Sequence, residues 1–203
     1  MQCADPGGAL IAKSFEGVVS ATPFPRLLVD RPESDSRSSY LLVSTGKFGA
    51  QDVAREHDGK RVRLDGTLVY NGAATMLELV DGSIEVLGDA TGMPPADERL
   101  GTRELVGEIV DSKCWLGVMQ PGRLKTHRSC AIRCIAGGIP PLFVVTTYGD
   151  AVEALVLVGA DGRAINDEIL DLVGENQRVT GDVFRSGDLL VLAAEPEAFA
   201  PVN

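Results

Sequence analysis

Two stretches of this chain carry the same glycine spacing in the same surroundings. Gly59, Gly66 and Gly72 punctuate GKRVRLDGTLVYNG, and Gly174, Gly181 and Gly187 punctuate GENQRVTGDVFRSG; both read G-x6-G-x5-G and lie 115 residues apart. Each is followed by a strand-like apolar run, Met76–Val80 and Leu189–Ala193, and preceded by a short helical stretch, near Ala50–Glu56 and near Asn166–Leu172. Each half opens on an apolar strand bearing a glycine, FEGVVSA at 15–21 and LVGEIVD at 105–111. Matching features in matching order mark a duplicated unit, since a solenoid needs three or more repeats.

Within a unit the order is three strands, a short helix, then two strands, with glycine where short twisted strands bend. That order predicts a five-stranded, partly open barrel with its helix between the third and fourth strands, the oligonucleotide/oligosaccharide-binding (OB) architecture. A pair of small sandwiches is the other all-β solution. The expected fold is therefore mainly β, with two tandem OB-like barrels at 15–88 and 103–195. A flexible N-terminus (1–14), a linker (89–102) and a tail (196–203) flank them. The boundary is read from GDATGMPPADERLGT (Gly88–Thr102), rich in Gly, Pro and acids and without period. DRPESDSRSS (Asp30–Ser39) reads as a polar hairpin loop inside the first unit.

The copies differ in one place. Gly17 to Gly59 spans 42 residues, whereas Gly107 to Gly174 spans 67, and the excess nearly matches the stretch from Cys114 to Pro140. The second barrel is expected to carry an elaborated loop between its first two strands, beside the usual binding face of such barrels. Three of the chain's four cysteines and one of its two histidines fall in this loop, as C-x12-H-x2-C-x3-C: Cys114, His127, Cys130 and Cys134. Gln120-Pro121-Gly122 is turn chemistry. Thr126 is placed to cap a helix starting near His127, and Gly137-Gly138 with Pro140-Pro141 to stop it. At about 100° per residue, His127, Cys130 and Cys134 share a wedge of about 60° on that helix. Cys114, at the strand end, closes the site from outside.

The set Cys3His is a full tetrahedral complement for zinc, and also for an iron–sulfur cluster with one histidine. Zinc in such a closed set is structural, because catalysis needs an open position. Arg123, Lys125, Arg128 and Arg133 are read as a local basic field that lowers thiol pKa and offsets three thiolates. Trp115 is read as a cover for the site. Asp111, the nearest carboxylate, reads as a turn residue closing its strand, and His57 as a helix-end histidine. The first barrel shows no site and is read as scaffold or partner surface. Cys3 lies far away in the N-terminal segment.

Composition narrows the classes. The charge of −10 and pI near 4.7 oppose binding to nucleic acid or anionic membranes, which need basic fields. Trp, Tyr and Phe are few and scattered, unlike a base-stacking platform. No run reaches the roughly 18 apolar residues that cross a bilayer, and no signal-peptide core is visible, so the chain as written reads as soluble. An anchor removed from the N-terminus would place it at the cell envelope.

The stretch Gly107–Pro141 resembles the motif of an uncharacterised bacterial family of tandem OB-like proteins. The residues that carry the likeness are Gly107, Glu108, Val110, Asp111, Lys113, Cys114, Trp115, Gly117, Met119, Pro121, Gly122, Lys125, His127, Cys130, Ala131, Cys134, Gly137, Gly138, Ile139, Pro140 and Pro141. Leu124 stands where the motif has glycine. The resemblance implies that the Cys/His loop is the defining feature. Trp115, Lys113, Lys125, Arg128, Gly137 and Gly138 are read as supporting the ligands. It also implies a membrane anchor ahead of the first barrel in relatives; this chain shows none. It brings no activity with it. Three function classes follow: a zinc-binding accessory module with a protein partner, an iron–sulfur electron carrier, and a thiol-redox enzyme or sensor using Cys130 and Cys134.

Overall fold

A computed structural model describes residues 11–31, 37–71, 74–91, 96–147 and 150–202. Strands β1 (Lys13–Ser20), β2 (Arg26–Asp30), β3 (Arg37–Val43), β4 (Lys60–Asn71), β5 (Ala74–Leu79) and β6 (Glu85–Asp89) form one sheet in the order β1-β2-β3-β5-β4-β6. Antiparallel pairing of β1 with β4, Phe15 opposite Leu64, closes it into a five-stranded barrel with β6 added on β4. The second sheet contains β7 (Glu98–Asp111), β8 (Pro141–Thr147), β9 (Asp150–Val158), β10 (Asn176–Ser186), β11 (Leu189–Ala193) and β12 (Phe199–Pro201). Its pairings repeat those of the first, including the parallel third-to-fifth contact (β3 with β5, β9 with β11) and closure of β7 on β10. The two OB-like barrels expected from the glycine ladders are present.

The repeated glycines have repeated physical reasons. Gly59 and Gly174 both sit at φ +71, where a side chain would be strained, and turn the chain into β4 and β10. Gly17 and Gly107 allow close strand crossing: a Cβ at Gly17 would lie 2.5 Å from the Leu28 carbonyl oxygen, and one at Gly107 2.1 Å from that of Val144. The helix between third and fourth strands is α1 (Gln51–Glu56) in the first barrel, whereas its counterpart Asn166–Leu172 is a 3-10 turn. Strand β6 enters the stretch read as linker, and β7 begins within it, at Glu98. The end read as a tail adds β12 to β10, Ala200 opposite Arg178. The Asp30–Ser39 hairpin is closed by Asp30 pairing with Arg37, while residues 32–36 lie outside the described residues, as do Cys3 and most of the segment read as a flexible N-terminus.

Strand residues alternate between two apolar environments. In β8 and β9, Phe143, Leu155 and Leu157 fill the second barrel, while Leu142, Val144, Ala154, Val156 and Val158 face the first. In β3 and β5, Leu42 and Leu77 fill the first barrel, while Leu41, Val43 and Met76 face the second. One buried cluster thus runs between the barrels. Strands buried on both faces read as continuous apolar runs, which is why YLLV, LFVV and ALVLV lack alternation. No helix among the described residues is long and apolar enough to cross a membrane.

Candidate metal centre

Between β7 and β8 the chain makes the expected excursion, residues 112–140. It leaves Asp111 through a tight π-type turn, Cys114–Val118, broken at Gly117 (φ 131), and this turn packs on β4 and β5 of the first barrel. The chain then folds back so closely that a Cβ at Gly122 would lie 2.7 Å from the carbonyl oxygen of Cys114. Helix α2 (Arg128–Ala136) follows, packed on β7 and the Asn166–Leu172 turn. Its Ala131 and Ile135 complete the second barrel's core while Cys134 belongs to the cluster between the barrels. His127, not Thr126, occupies the N-cap position, and no side chain caps the helix. The C-terminus closes as a Schellman motif, with Ile139 N–H donating to Cys134 C=O (3.0 Å), Gly138 N–H to Ile135 C=O (2.9 Å), and Gly138 at φ +92.

This architecture brings the four predicted ligands together. The ligand atoms of Cys114, His127 and Cys130 lie within 4.8 Å of one another, and so do those of Asp111, Cys114 and Cys134. Cys114 is common to both groups. Sulfurs bound to one tetrahedral zinc at about 2.3 Å stand about 3.8 Å apart, so each group of three is near the spacing that one ion requires, and Cys134 joins the first group through Cys114. Cys114, Cys134 and His127 are buried, and Cys130 is half-buried.

Asp111 is not a turn residue. It is fully buried, its Oδ2 lies 3.0 Å from His127 Nε2, and its Oδ1 accepts the Cys114 backbone N–H at 2.8 Å. Carboxylate behind histidine is the usual support of a metal-bound imidazole, fixing ring orientation and tautomer. Strand alternation carries the signal that sequence reading missed: Asp111 shares the face of Ile109, which points into the barrel.

The basic field is also not where the sequence placed it. Arg128 reaches Glu175 (2.8 Å) and the Asp171 carbonyl, Arg123 stands 3.8 Å from Glu108, and Lys125 and Arg133 are exposed. Lys113 is buried and turns away from the thiols, pairing with Glu78 and donating to the carbonyls of Ser44 (3.1 Å) and Gly46 (2.7 Å) in the first barrel. The cation at the sulfurs is Lys47, whose Nζ lies 2.7 Å from Cys130 Sγ and 3.7 Å from Cys134 Sγ. The first barrel is therefore not bare of site residues. The bond to Cys130 holds the Lys47 ammonium above its ordinary pKa. A hydrogen bond from Cys114 lowers the Cys134 thiol to about 7, and that same bond, with burial and the Asp111 charge, raises Cys114.

The supporting residues dock the loop onto its neighbour. A Cβ at Gly137 would lie 2.0 Å from the Lys47 carbonyl oxygen, so only glycine fits. Gly49 N–H donates to Gly137 C=O (2.9 Å) and Gln51 Nε2 to Gly138 C=O (2.5 Å). Trp115, half-buried, packs on the cluster between the barrels, and its carbonyl accepts Asn71 Nδ2 at 3.4 Å. Leu124 adopts φ 70, the left-handed conformation that glycine takes without strain, and its N–H donates to buried Glu108 (2.8 Å). His57 closes α1, with Nδ1 2.9 Å from the Val53 carbonyl.

No protein-family model matches the chain, no curated protein matches it, and no solved structure matches it.

Proposed function

We propose that this protein is a zinc-binding accessory module whose Cys114, His127, Cys130 and Cys134 hold one ion that pins the 112–140 loop between the two barrels. The observation that carries the reading is the convergence of Cys114, His127 and Cys130 within 4.8 Å, with Cys134 within the same distance of Cys114. Thiolate and imidazole donors suit zinc, and four protein ligands leave no open position for a substrate, which makes the role structural. His127 ligates through Nδ1, because Asp111 engages Nε2. When bound, the ion supplies cross-linking, not chemistry. The chain's own residues do the rest: Asp111 orients the imidazole, Lys113 ties the loop to Glu78, and the glycine pair lets the helix end abut the first barrel. The surface so fixed is offered to a protein partner.

Elemental analysis and a visible spectrum of freshly purified protein test this. The expected result is a colourless protein with one zinc per chain, lost in Cys130→Ser together with stability of the second barrel. A brown protein would place an iron–sulfur cluster on the same ligands. Metal-free protein with reversibly titrating thiols, or unchanged zinc in Cys130→Ser, would overturn the assignment.

A further inference from the structure

We infer that Lys47 of the first barrel caps the metal-bound Cys130 sulfur, so that the first barrel shields the one accessible ligand of a site built in the second. The inference rests on the zinc reading above.

The segment carrying Lys47 is fixed on both sides by the loop it faces. Lys113 binds the carbonyls of Ser44 and Gly46, just ahead of Lys47, and Gly49 and Gln51, just after it, bond to Gly137 and Gly138. The Lys47 carbonyl itself lies where a Gly137 Cβ would be. With its backbone held this way, the ammonium lies 2.7 Å from Cys130 Sγ and 3.7 Å from Cys134 Sγ.

Charge gives that contact a purpose. Three thiolates on a dication leave one net negative charge, and buried Asp111 adds a second. Lys113 contributes nothing, because Glu78 neutralises it. Lys47 therefore offsets a charge that would otherwise sit half-buried at a seam between apolar surfaces, where an unpaired charge is costly. Access gives a second purpose. Cys114, Cys134 and His127 are buried, so an electrophile or competing chelator meets Cys130 first. A charge-assisted N–H···S bond withdraws electron density from that sulfur and occupies its open side.

The test uses the full zinc-loaded chain, with Lys47→Met to remove the charge at similar length and Lys47→Arg to keep it. Iodoacetamide is the probe, the alkylated residue is identified by mass spectrometry, and zinc release to a chelator is followed in parallel. Lys47→Met is expected to raise alkylation at Cys130 and zinc release roughly tenfold, the effect of losing one charge-assisted hydrogen bond. Lys47→Arg should remain near the parent rate. Loss of zinc from Lys47→Met during purification, with retention in Lys47→Arg, would also support the cap. Equal rates in parent and Lys47→Met, both holding zinc, would overturn the role of Lys47 alone. Rates raised equally in both variants would overturn it too, by showing that the cation is not what matters. A parent chain without zinc would remove the underlying reading and this inference with it.

Discussion

The two barrels share their strand pairings and differ most in one connection. Five residues (21–25) join β1 to β2, whereas 29 residues (112–140) join β7 to β8. All four predicted ligands lie in or beside the longer connection, yet its outer surface rests on the barrel that lacks one. The simpler copy acts as the floor on which the elaborated copy builds its site. It supplies Glu78 to bury the Lys113 charge, carbonyls to hold it, and Lys47 to face the sulfurs. The site proposed above uses one lengthened loop and takes the other barrel as its second wall.

That contrast can be broken first by removing the metal. Chelation of the zinc-loaded protein is expected to abolish hydrogen-exchange protection across 112–140 and also at 44–51 in the first barrel, while the β1–β4 pairing stays protected. Loosening confined to the second barrel would refute a shared wall. Next in size is Glu78→Ala, which leaves Lys113 buried with only carbonyl acceptors. It should cost about 3 kcal/mol by denaturant titration, the low end for breaking a buried pair because Glu78 is partly exposed. A loss under about 1 kcal/mol would mean that the loop is not anchored there. Asp111→Asn should weaken zinc binding roughly 10- to 100-fold in competition titrations, leaving the first barrel unaffected. The smallest effect is a gain: Leu124→Gly should stabilise the protein by about 1 kcal/mol, seen as a higher denaturation midpoint, by relieving φ 70. An unchanged or lower midpoint would show that the Glu108 contact depends on the leucine.

Much of this is legible in the sequence. The glycine ladders revealed two barrels because each glycine answers a backbone demand, a turn at φ +71 or a crossing without room for Cβ, that recurs at the same place in each copy. The cysteine spacing pointed to the cluster because i, i+3 and i+7 positions share one side of a helix. Three features were hidden. Lys47 lies 83 residues from Cys130, and its role depends on how the barrels meet. Of the arginines beside the ligands in sequence, Arg123 stands by Glu108, Arg128 reaches Glu175 and Arg133 is exposed, so proximity along the chain misassigned the charge. Asp111 does end its strand, opposite Pro141, but its side chain is buried against His127 instead of facing solvent in a turn, a contact that depends on how the loop folds back. One further signal was present and unused: YLLV, LFVV and ALVLV are too uniformly apolar for strands with one wet face, and so announce that the barrels bury their outer surfaces against each other.

The central claim, one ion held by both ends of the inserted loop, is tested most directly by X-ray absorption at the metal edge on the purified protein. The account predicts zinc with three sulfurs at about 2.3 Å and one nitrogen at about 2.0 Å, falling to two sulfurs or to no metal in Cys114→Ser. A shell of oxygen donors, or an unaltered sulfur count in Cys114→Ser, would contradict it.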